Sequence, residues 1–123
     1  MTSMHRETKI LLISDDNQQR KDLSYILNFM DEAFVVADSA QWRDAVKSLS
    51  SSREILCAFV ACHSNEECLQ LITELEQWDA FLPVISLGEL ETAHWPANIR
   101  HRVLCSLALP PTYHRFLDCL HRA

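Results

Sequence analysis

The sequence predicts an α/β fold in three layers: a five-stranded parallel sheet with helices on both faces. Three observations lead there. Short, nearly continuous aliphatic runs recur along the chain, as in "KILLIS", "ILCAFVAC" and "VLCSLAL", and such runs suit strands covered on both sides. Between them lie stretches whose apolar residues repeat at i, i+3, i+4 and i+7, the spacing of one helix face. The two kinds alternate along the chain, and strand–helix alternation builds a parallel sheet.

Each element follows in order. Lys9 to Ser14 is the first strand, and Asp16 or Asn17 is placed to cap the helix after it. Leu23, Ile26, Leu27 and Met30 give that helix its apolar stripe. Ala33 to Asp38 is a short second strand. Ser39 is expected to cap a second helix, whose stripe is Trp42, Ala45, Val46 and Leu49 and whose Trp42 is expected in the core. "SSSRE" is a polar turn before the third strand, Ile55 to Cys62. Cys68, Leu71, Ile72 and Leu75 face inward from a third helix. Phe81 to Gly88 is the fourth strand, and the segment after it holds one short helix from Pro96. Val103 to Leu109 is the fifth strand, which Pro110 and Pro111 end. Tyr113, Phe116, Leu117 and Leu120 form the stripe of the last helix.

Composition narrows the function classes. A chain of 123 residues, 48% hydrophobic and 23% charged, suits one globular domain over 1–123 that buries roughly two-thirds of its unfolded surface. No apolar run approaches the ~18 residues of a membrane helix. "MTSMHRETK" has no apolar core of a secretory signal, so the cytoplasm is the expected compartment. A net charge of −6 argues against direct nucleic-acid binding, which needs a concentrated basic face. Arg100, His101 and Arg102 form the one basic knot, expected at a solvated helix end. The single glycine, Gly88, excludes a P-loop and a GxGxxG turn, which need several glycines for close approach to phosphate. The five cysteines form no CxxC pair, even at the closest spacing of Cys57 and Cys62, and are read as small buried hydrophobes.

Asp15 and Asp16 stand where the first strand ends. In a parallel α/β sheet, ligands sit outside the carboxyl ends of the strands, where strand order reverses. Two acids there make a natural seat for a divalent cation and for phosphoryl chemistry. The five units, the length and the acidic pair resemble a response-regulator receiver domain, a flavodoxin-like fold. That resemblance implies Mg²⁺ on the acidic pair, a phosphate-accepting Asp ending strand three, a Thr or Ser ending strand four and a Lys ending strand five. Three of these positions fail here. The acceptor falls on Ala61 or at best Cys62, the hydroxyl on Gly88 (with Ser86 two residues early) and the lysine on Leu109; the strand-five aromatic of many receivers falls on Ser106. Asp15 and Asp16 are therefore expected to be a vestigial acidic pocket, one capping the helix and the other facing water.

The departures carry a closer resemblance. "RETKILLISDDNQQRKDLSYILNF", "WRDAVKSLSSSRE", "WDAFLPVISLGE" and "LPPTYHRFLDCLHRA" resemble the amino-terminal domain of the FleQ/FlrA family, flagellar master regulators of gammaproteobacteria. The resemblance implies a non-enzymatic, non-phosphorylatable regulatory and dimerising domain without a cofactor of its own. It also implies a longer protein, in which an AAA+ ATPase domain holds ATP and cyclic-di-GMP and engages sigma-54 RNA polymerase, and a helix-turn-helix binds DNA. The likeness to receivers, which commonly pair through helix four, strand five and helix five, implies a homodimer face carrying His94, Trp95, Ile99, Arg102, Tyr113, Leu117 and His121. Trp95, outside every stripe and just before Pro96, is the expected anchor, the alternative being that its ring folds back over strand four. Two other readings stand beside this one. One is a working phosphoreceiver with Asp15 or Asp16 as displaced acceptor, and the other is a thiol or metal sensor using Cys62, His63 and Cys68.

Overall fold

Strands β1 (Lys9–Ser14), β2 (Phe34–Ala37), β3 (Ile55–Ala61), β4 (Val84–Leu87) and β5 (Val103–Leu107) form one parallel sheet in the order β2-β1-β3-β4-β5. The helices are α1 (Asn17–Phe29), α2 (Trp42–Ala45), α3 (Asn65–Trp78), α4 (Ala97–Arg100) and α5 (Tyr113–Arg122). This computed structural model describes residues 8–49, 51–61, 64–88, 90–107 and 112–122, and of Tyr113 only the backbone. Cys62, His63 and Leu109 lie outside the described residues, as do Pro110 and Pro111.

Side chains alternate across a strand, so each central strand feeds two cores. Leu11 and Ile13 of β1 join Ala58 and Val60 of β3 beneath α2, α3 and α4. Ile10 and Leu12 join Cys57 and Phe59 beneath α1 and α5. The first core is closed by Trp42, Leu71, Ile72 and Leu75, and the second by Leu23, Leu27, Phe116 and Leu120. Phe59 and Phe116 stack across the second core with ring centroids 4.5 Å apart. Among the described residues no helix is long and apolar enough to cross a membrane.

Differences from the expected elements have local causes. The fourth strand begins at Val84, not Phe81, because Asp79 takes the preceding backbone into a turn: its carboxylate accepts from the Phe81 N–H at 2.9 Å and its carbonyl from the Leu82 N–H at 3.2 Å. Phe81 is left 88% exposed. The second helix is a single turn. Beyond it, Lys47 N–H bonds to the Asp44 carbonyl and Leu49 N–H to that of Val46, a tighter i, i+3 pattern. Its stripe survives the shortening, since Trp42 and Val46 are buried. Ser39 does not cap this helix. The Asp38 carboxylate accepts from the Ala40 and Gln41 N–H groups instead, and Ser39 is engaged elsewhere.

Strand β5 is an edge with a register shift. Val84 pairs with Val103, but Ile85 pairs with Cys105. The extra residue, Leu104, is turned 41% out to solvent. One residue of slip moves side chains to the opposite face. Val103 therefore packs with the α2–α4 core, while Cys105 and Leu107 point toward α5.

Candidate functional site

Strand order reverses between β1 and β3, and the carboxyl ends of these strands meet at the pair Ser14 and Ala61. Ser14 is fully buried. Its hydroxyl lies 2.5 Å from Gln19 Oε1 and accepts from the Asp16 N–H at 3.2 Å. Asp16 adopts an extended backbone and caps α1, its Oδ1 accepting from the Gln19 N–H at 3.0 Å. That satisfies one of the free donors at the helix start. One turn on, the Arg20 guanidinium donates to the Ser14 carbonyl and to Asn17 Oδ1. A fixed cation thus stands at the end of β1.

Asp15 does not simply face water. Its Oδ1 accepts from the Ser39 N–H at 2.8 Å and its Oδ2 from the Ser39 hydroxyl at 3.0 Å. Both residues are half-buried, so the carboxylate ties β1 to the turn after β2. Ser39 is the hydrogen-bond partner of this acid. The sequence reading missed Ser39 and Arg20. Arg20, four residues after Asp16 and so on the same helix side, was legible by spacing.

At the ends of β3 and β4 the described side chains are small. Ala61 is buried, and presents a methyl group where the acceptor carboxylate falls. Gly88 has φ 93°, a left-handed conformation that glycine adopts at low cost, and its N–H donates to the Leu107 carbonyl at 2.7 Å. Ser86, which a register slip would bring forward, is instead buried inside the sheet. Its Oγ lies 2.7 Å from Ser106 Oγ and 3.2 Å from the Gly88 carbonyl. Among the described residues no three His, Cys, Asp or Glu side chains converge as a metal site. A hard dication needs several free oxygens. Two carboxylates already engaged, beside a methyl group, do not fit Mg²⁺.

The expected interface residues divide. Trp95 is 7% exposed and Ile99 3% exposed, and both belong to the core beneath α2–α4. This corrects the placing of Trp95 as an anchor and of Ile99 on the exposed face: the two residues, four apart across the start of α4, turn inward together. Arg102 is half-buried, its guanidinium donating to the Ala80 carbonyl. Leu117 is half-buried, His94 and His121 are exposed, and the side chain of Tyr113 lies outside the described residues. Cys68 is a core residue on the inner face of α3, which removes it from a solvent-facing sensor with Cys62 and His63.

Several solved structures share this architecture. The chain is 14% identical to chemotaxis protein CheY4 of Vibrio cholerae, with TM-score 0.69 over 94% of this chain and 97% of that one. It is 14% identical to a response regulator receiver domain protein from Clostridium thermocellum, with TM-score 0.75 over 93% and 91% of the two chains. With NtrX from Brucella abortus it shares 19% identity and a TM-score of 0.72, covering 94% of this chain and 26% of that one. At such identities the likeness carries the fold, which is the receiver fold. A family model described as flagellar regulatory protein FleQ matches residues 9–123.

Proposed function

Because the chain belongs to the family of the flagellar regulatory protein FleQ, we propose that it is a receiver-like regulatory module that works without phosphorylation. The observation that carries this reading is the methyl group of Ala61 opposite Ser14, where a phosphoreceiver needs a nucleophilic carboxylate. The neighbouring acids support it. Asp15 is held by Ser39 through both oxygens and Asp16 caps α1 through its Oδ1, so both carboxylates already serve the fold.

On this reading the module is a non-enzymatic, cytoplasmic part of a larger transcriptional regulator of flagellar and biofilm genes. ATP, cyclic-di-GMP, sigma-54 RNA polymerase and DNA engage other domains. The module itself pairs with a second copy through the face of α4, β5 and α5, where Leu104, Leu117 and His121 reach the surface.

Incubation with acetyl phosphate and Mg²⁺, followed by intact-protein mass spectrometry, tests the proposal. The expected spectrum contains only unmodified chain, and beryllofluoride with Mg²⁺ leaves the amide NMR spectrum unchanged. A stoichiometric phosphoryl adduct on Asp15 or Asp16 would overturn it.

A further inference from the structure

The shift in β5 register has brought two thiols together. Cys105 would continue the phase of an unbroken strand, but the extruded Leu104 turns it toward α5. Cys119 stands on the inner stripe of α5, between Phe116 and Leu120. The two sulfurs lie 3.0 Å apart, and both cysteines are free thiols. A disulfide bond is about 2.05 Å long, so closing one needs a sulfur displacement of only about 1 Å.

The pair is reachable. An open cleft of about 140 Å³ is lined by Cys105, Cys119, Ser106, Asp118, Arg115 and Arg122, large enough for a small peroxide. Cys105 is half-buried and Cys119 more deeply placed. Arg115, Asp118 and Arg122 bring charges of both signs to the cleft wall. Burial and the neighbouring Cys105 push the Cys119 thiol up to about 12, with Arg122 opposing. By its greater exposure Cys105 is the thiol that meets an oxidant, and the more deeply placed Cys119 is the one that waits. The third thiol on this side, Cys57, is fully buried in β3, and burial pushes it to about 12 as well. Cys57 does not line the cleft.

We propose that Cys105 and Cys119 form a peroxide-oxidisable dithiol site that closes to a disulfide between β5 and α5. A hydroperoxide, ROOH, transfers its terminal oxygen to the Cys105 sulfur, giving a sulfenic acid and the alcohol ROH as the O–O bond breaks. The Cys119 sulfur then attacks the Cys105 sulfur. The S–O bond breaks, the Cys119 proton leaves with the hydroxyl as water, and the S–S bond forms. Two thiols have lost two electrons and the peroxide has gained them. In a reducing compartment the bond is transient, and a thiol reductant reverses it.

The test treats the purified chain with tert-butyl hydroperoxide, blocks remaining thiols with iodoacetamide and digests with trypsin. The expected product joins the peptide of residues 103–115 to that of residues 116–122. The bond closes a loop of roughly 15 residues, so oxidised wild type should melt about 10 °C higher than reduced, and dithiothreitol should reverse the shift. Cys119→Ser should show neither the joined peptide nor the shift, and Cys105→Ser is a second variant at the more exposed position. Recovery of both peptides in separately alkylated form after oxidation would overturn the proposal, as would joining of residues 103–115 to the peptide that carries Cys57.

Discussion

Asp15 and Asp16 are chemically alike and one residue apart, yet each holds a different part of the fold. Asp16 caps α1, so Asp16→Ala should cost about 0.5–2 kcal/mol in urea unfolding. Asp15 reaches a residue 24 positions away, Ser39, with both carboxylate oxygens. Asp15→Ala leaves the Ser39 N–H without its partner, an expected cost of about 1–3 kcal/mol. Ser39→Ala removes only the hydroxyl bond and should cost less, and the double variant should fall short of the sum because the two residues share one interaction. Mg²⁺ should change none of these midpoints. The cap was legible because it depends on spacing within four residues. The tie to Ser39 was not, because no local pattern says which turn will meet the end of β1. Trp95 shows the same limit: its nearest sequence gives no stripe, and only the pairing with Ile99 hints at an inward side.

Elements were legible where periodicity was strong. The first strand ends where the aliphatic run ends, and the third helix buries the expected Cys68, Leu71, Ile72 and Leu75. Boundaries failed where a single side chain captured backbone groups, as Asp79 does before β4 and Asp38 before α2. The short α2 still anchors the sheet through Trp42, which meets Trp78 edge-on at 5.6 Å between centroids. Arg43 lies over the Trp42 ring at 5.2 Å and reaches Glu74 at 3.6 Å. Trp42→Ala should therefore cost about 3–5 kcal/mol, whereas Arg43→Ala, on a mostly exposed pair, should cost under about 1 kcal/mol. At the end of β4, Gly88→Ala places a Cβ in a left-handed backbone and should cost about 1–2 kcal/mol. Denaturant midpoints at constant slope check all three.

At the scale of the whole molecule, the chain keeps the five-stranded parallel sheet of the receiver fold, with Ala61 and Gly88 near the ends of β3 and β4. Sedimentation over a concentration series should show self-association of the wild-type chain. Leu117→Asp should weaken that association, whereas Trp95→Ala should lower the melting temperature first, since its ring belongs to the core. Three tryptophans are present, and Trp42, Trp78 and Trp95 all pack on the α2–α4 side of the sheet. The molecule is optically lopsided. Its indole emission reports one hemisphere and is dark to the other, where α1, α5 and the Cys105–Cys119 pair lie. A spectroscopist watching tryptophan alone would see global melting but miss a loosening of α5, which far-UV circular dichroism would register as lost helix.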